Sequence, residues 1–162
     1  MTTEKWLIDS ALRGWKFNVE RADKLFGDLS AKQLEQEVAP GRNRLIYLWG
    51  HLAAVNDRLL PLLGIGERLH PEFDAMFISS PDKSFPLTVS EQSLKTAWQE
   101  INQKLSEGFA KFSDSDWAQR HTAVSVEDFE REPHRNRFGV LLGRTAHLAY
   151  HLGQAALARP SA

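Results

Sequence analysis

The segment Arg144-Thr145-Ala146-His147-Leu148-Ala149-Tyr150-His151-Leu152-Gly153-Gln154 repeats histidine and leucine at intervals of four, His147 with His151 and Leu148 with Leu152. Residues three and four apart share a face of an α-helix, so the two imidazoles project from one side, one turn apart, beside the leucine stripe. Leu141 continues that stripe toward the N-terminus. The reading is a helix from about Asn136 to about Ala158, entered after Pro133 and closed by Pro160. Two imidazoles so placed can share a divalent transition metal, which favours neutral imidazole. Taken alone, such a pair is more often a pair of surface or packing residues. Beside an apolar stripe, however, imidazoles without partners lose hydration, and an ion would offset that loss.

Working outward, three more long stretches carry the same periodicity, and no stretch alternates as sheet strands do. A first helix is expected from about Thr3 to about Leu25, with Leu7, Ala11, Leu12, Trp15, Val19 and Ala22 on one side. Gly27 offers a stop, and a short helix should follow Ser30, whose spacing to Gln33 is that of a capping box. Pro40-Gly41 breaks the chain before a second long helix, from about Asn43 to about Leu63, with Leu45, Leu48, Leu52, Val55, Leu59 and Leu63 as its stripe. A third starts after the cap Ser90 and runs to about Phe112 through Leu94, Trp98, Ile101, Leu105 and Phe109.

Helices of this length, at about 1.5 Å per residue, are rods of about 30 Å that bury their stripes against one another. The expected fold is therefore all-α, a four-helix bundle in one domain over residues 1–162, with long connections after the second and third helices. The connection 64–89, with Pro71, Pro81 and Pro86, is long enough to suggest a functional role, and part of it is expected to cover a site. The other, Ser113 to Arg135, should hold a turn of helix near Trp117.

Composition narrows the function classes. With 42% hydrophobic and 25% charged residues, the 162-residue chain is ordinarily globular, and its net charge of −1 leaves no broad cationic field for a nucleic acid backbone. Absence of cysteine removes disulfides, thiolate ligands and a cysteine nucleophile. Neither a leader-like amino terminus nor an apolar run of membrane-spanning length is present, so a cytoplasmic location without a membrane partner is expected. There is no G-x-S-x-G elbow, phosphate-binding glycine loop or H-E-x-x-H motif, and any catalysis should be metal-centred.

His51, following Gly50 in the second long helix, supplies a third imidazole. It is a candidate metal ligand, although spacing alone favours a helix-edge histidine bonded to a backbone carbonyl. Gly50 is costly in a helix interior, which points to close approach of another element; Gly153 raises the same question in the last helix. Gln154 can orient a ligand or water, or simply pack. Asn56 and Asp57 read as a surface pair, with Asp57 able to accept a proton if it faces the pocket. His70, His121 and His134 lie in connections and read as solvated. Trp15, Trp49, Trp98 and Trp117 read as core aromatics, one or two of them able to wall an apolar pocket. The cluster Arg135-Asn136-Arg137 either meets an anionic substrate or solvates a helix start.

The histidine in Leu45-Ile46-Tyr47-Leu48-Trp49-Gly50-His51-Leu52, followed in the last helix by His147-Leu-Ala-Tyr-His151-Leu-Gly-Gln154, resembles the DinB and YfiT superfamily of metal-binding four-helix proteins over nearly the whole chain. The resemblance implies one divalent transition metal ion, nickel, zinc, iron or manganese, held by His51, His147 and His151. It further implies a small-molecule substrate, enzymes of the superfamily acting with low-molecular-weight thiols such as mycothiol and bacillithiol, and a homodimer as the associated form. The expected function is a metal-dependent hydrolase or thiol S-transferase in which the ion activates water or thiol. The alternative is a non-catalytic, stress-associated or interaction bundle whose metal is structural or sensory.

Overall fold

Each of the four long periodic stretches forms a helix in the computed structural model, which describes residues 2–158. Helix α1 spans Thr3–Gly27, with the Thr2 hydroxyl accepting the Lys5 amide N–H at 3.2 Å. Helix α2, Ala31–Leu34, carries the expected capping box: Ser30 Oγ accepts from the Gln33 amide while Gln33 Oε1 accepts from the Ser30 amide. Helix α6, Glu91–Phe109, starts at Ser90 as expected and stops three residues short of Phe112. Helix α9 spans Arg137–Ala158. Met1 and Pro160, the latter expected to close α9, lie outside the described residues.

The second long helix is shorter than its stripe suggested. It divides into α3, Leu45–Asp57, and a single turn α4, Leu59–Leu62, with Arg58 between them. Pro61 accounts for the break, since it has no N–H for the Asp57 carbonyl and its ring crowds that carbonyl. The connections also hold more structure than expected: α5 over Phe73–Phe77 and α8 over Val126–Arg131, besides the turn at Trp117, which is α7, Asp114–Trp117.

Helix α9 packs on α1 and α3, and α3 packs in turn on α6 and α5. The circuit closes where Trp15 of α1 meets Phe109 of α6 edge-on at 6.0 Å and where Trp98 Nε1 donates to Asp23 at 2.6 Å. Helix α3 is buried on nearly every side, as its almost unbroken apolar sequence requires. All four core tryptophans, Trp15, Trp49, Trp98 and Trp117, are buried as expected. No helix among the described residues is long and apolar enough to cross a membrane.

The connection after α4 is an arm strapped along α3. At the C-terminal end of α3, Asp57 accepts from Arg68 Nε (2.8 Å) and from the amides of Leu69 (2.8 Å) and His70 (3.1 Å). At the N-terminal end, Asp82 accepts from the Arg44 amide (2.7 Å) and pairs with its guanidinium (2.6 Å), and Tyr47 donates to the Ser80 carbonyl (2.7 Å). Between these anchors α5 lies across the middle of α3, with the Phe77 ring seated on Gly50. A Cβ at Gly50 would overlap that ring, which is the close approach its position in a helix interior suggested. Gly153 is different: it is exposed and a Cβ there meets nothing, so it has no packing role.

Asn56 and Asp57 are likewise not a surface pair, since both are fully buried. Asn56 donates to Asn102 of α6 at 3.0 Å, and Asp57 is the anchor just described. A buried carboxylate is tolerable here because a guanidinium and two amides satisfy it.

Two measurements check this packing. Gly50→Ala should destabilise the protein by about 1–3 kcal/mol through overpacking against Phe77, whereas Gly153→Ala should stabilise it by up to about 1 kcal/mol through helix propensity, both read by denaturant unfolding. The arm should also register in acid. Hydrogen bonds from Arg68 and Arg58 hold the Asp74 carboxyl at about 2, below its ordinary 3.8. A carboxyl more acidic in the folded state adds stability above its unfolded value and loses it as pH falls through the folded one. The melting-temperature gap between the protein and Asp74→Asn should therefore be full near neutrality, shrink below about pH 4 and vanish near pH 2.

Candidate metal centre

His51 projects from the middle of α3, opposite the strip of α9 that carries His147 and His151. The three rings meet through their Nε2 atoms: His147 Nε2 lies 3.3 Å from that of His51 and 3.2 Å from that of His151. One nitrogen from each ring lies within 4.8 Å of the others, and among the described residues no other cluster of three histidine or carboxylate side chains is so placed. All three are half-buried.

What lies behind each ring sets its tautomer. His51 Nδ1 lies 2.9 Å from the Phe77 carbonyl, which can only accept, so the proton sits on Nδ1 and Nε2 is a bare lone pair. The His151 ring behaves likewise, with Nδ1 2.8 Å from Gln154 Oε1, while the Gln154 amide nitrogen donates to Tyr150 Oη at 3.1 Å. His147 Nε2 stands between these two lone pairs. One proton there satisfies one neighbour and leaves the other opposed.

A cation at the common point satisfies all three nitrogens, and the spacing suits it. With metal–nitrogen bonds of about 2.0–2.1 Å and tetrahedral angles, two ligand nitrogens stand about 3.3 Å apart. His147 Nδ1 then carries a proton in a buried position without an acceptor, the least supported of the three rings. Among the described residues, the fixed charges that act on His51 are Arg144 and Arg58 and the one on His147 is Arg144, and none acting on the three rings is a carboxylate. Desolvation, first, and these cations lower the proton affinity of His51, and desolvation, His151 and Arg144 lower that of His147 to about 4. For His151 desolvation again dominates, against the bond from Gln154. The three imidazoles are thus neutral at physiological pH, the form in which they bind metals.

The other residues singled out from the sequence divide clearly. Gln154 sits behind His151 and orients it. Asp57 spends both oxygens on the arm. His70 stacks on Phe73 and contacts Glu72 and Glu100, and His134 is exposed. His121, read as solvated, is only partly exposed, with Nδ1 buried and unpartnered. Arg135 pairs with Glu132, Asn136 accepts from the Gly139 amide, and Arg137 lies over the Phe112 ring at 4.8 Å, so that cluster builds the start of α9. Trp117 does line a recess of about 670 Å³ between α1, α7 and the start of α9, but no histidine of the triad borders it. Two participants escaped the sequence reading. The Phe77 carbonyl carries no side-chain signal; Arg144 does, because Arg144, His147, His151 and Gln154 follow one another at helical spacings of three, four and three.

Compared with known proteins, residues 15–155 match the family model of the DinB superfamily. No curated protein matches the chain.

Elemental analysis of untagged protein should find close to one transition metal per chain. His147→Ala should abolish that content without altering helical circular dichroism, and Gln154→Leu should weaken metal affinity by about 10–100-fold, the usual effect of losing a group that orients a ligand. Unchanged metal content in His147→Ala would refute the assignment.

Proposed function

The chain belongs to the DinB superfamily, and from that membership we propose that it is a divalent-metal-dependent enzyme acting on a small molecule, of the hydrolase or thiol S-transferase type. We assign His51, His147 and His151 as the ligands of one nickel, zinc, iron or manganese ion. The observation that carries this reading is the convergence of three neutral imidazole nitrogens, with no carboxylate joining the group among the described residues. Three ligands leave coordination positions for exchangeable groups, which distinguishes catalytic from closed structural sites. Bound there, the ion supplies Lewis acidity and lowers the pKa of water or a thiol toward neutrality.

The protein's own groups prepare that chemistry. Phe77 and Gln154 fix two imidazoles in the tautomer that presents Nε2, and neutral ligands leave the ion's full charge available to a nucleophile. Asp57 is bound up in the arm, so we assign it no proton transfer. The reading carries a cytoplasmic location and no nucleic-acid or membrane partner.

Metal-loaded protein should be screened with electrophiles plus glutathione, bacillithiol or mycothiol, and with esters and amides in water alone. Turnover is expected in one arm of the panel, and His51→Ala should lose metal and rate together, by on the order of 100-fold or more. A fully loaded protein silent across both arms would transfer the site to a structural or sensory metal role.

A further inference from the structure

Arg144 is the charged side chain of α9 nearest the histidines in sequence, and the triad does not account for it. It precedes His147 by three residues, about 4.5 Å along the helix axis at the α-helical rise. Its charge acts on both His147 and His51. The guanidinium Nε is fully buried without a partner, and no hydrogen bond or ion pair engages the side chain among the described residues. Desolvation, chiefly, and the charge of Arg58 oppose its protonated form, yet a guanidinium does not give up its proton in proteins.

The neighbouring arginines make the contrast. Arg44 pairs with Asp82 and Glu35, Arg58 with Asp74, and Arg68 with Asp57 and Asp74. Asp57, Asp74, Asp82 and Glu35 are thereby committed to other arginines, and among the described residues no carboxylate pairs with Arg144. A largely desolvated cation with no counter-charge lowers the stability of the free protein, and a planar guanidinium is the side chain best matched to an oxyanion arriving from outside.

We infer that Arg144 is an anion-binding residue: the molecule that enters this site carries an oxyanionic group, carboxylate or phosphate, which Arg144 holds one helical turn from the point where the three imidazoles converge. Calling that molecule a substrate rests on the enzyme reading above; the anion site rests on Arg144 alone. Arg144 then acts as a specificity determinant, orienting an anionic molecule so that a neighbouring group lies at the histidine triad.

The test uses the full-length protein as purified, at constant ionic strength, with acetate and inorganic phosphate as separate probes and chloride as control. Calorimetric titration should show one or both oxyanions binding, and Arg144→Gln should weaken that binding at least about tenfold, with Arg144→Lys intermediate because an ammonium keeps the charge without the planar fork. The stronger probe identifies the class. A second readout is the melting temperature without oxyanion, which should rise in Arg144→Met, where the apolar stem stays and the unpaired charge goes. Oxyanion binding unchanged in Arg144→Gln, or a fall in melting temperature in both Arg144→Met and Arg144→Gln, would overturn the inference. Metal content measured on the same samples separates the two readings. Oxyanion binding that depends on Arg144 in a protein without metal overturns only the metal-enzyme assignment, and a fully metallated protein without such binding overturns only the role of Arg144.

Discussion

The hydrogen bond from His51 Nδ1 to the Phe77 carbonyl, 2.9 Å long, is the contact on which the geometry of the histidine triad depends. It turns the third imidazole toward α9 and leaves its Nε2 unprotonated. It exists only because α5 lies against the middle of α3, and α5 lies there only because residue 50 has no side chain to displace the Phe77 ring. A glycine inside a helix is normally a loss of stability. Here that loss accompanies a backbone carbonyl standing behind His51.

The arm that brings the carbonyl is held by charge at both ends. Asp57 and Asp82 each accept a backbone amide as well as a guanidinium, so their burial is compensated and the arm is fixed in register along α3. Burial, first, keeps the three imidazoles neutral, and the charges of Arg144 on His51 and His147 and of Arg58 on His51 act in the same direction. A scaffold tuned only for stability would pair or discard a cation such as Arg144; residues kept in costly environments tend to cluster where a protein binds something.

Much of the framework was legible in advance, for identifiable reasons. Helical period, caps and breakers are local, so α1, α6 and α9 fell within a few residues of their expected limits, and the Ser30–Gln33 capping box formed as its spacing required. The sequence misleads where a breaker interrupts an otherwise regular stripe or a distant partner decides the outcome. Pro61 was visible in the sequence and still divides the second helix. Gly50 and Gly153 look alike along the chain, yet one receives a phenylalanine ring and the other faces solvent. Asn56 and Asp57 look like a surface pair because their partners, Asn102 and Arg68 with its neighbours, lie in other segments.

From its residues alone this protein is a set of amphipathic helices with one histidine in the second and two, a turn apart, in the last; periodicity depends on neighbours three and four positions away, and those are written consecutively. Folding added the meeting of His51 with His147, 96 positions later, the carbonyl 26 positions beyond His51 that aims its ring, and the lack of an acidic partner for Arg144 among the described residues. Those features depend on which faces pack together and which charges are already engaged, and such long-range choices leave no period in the chain from which to read them.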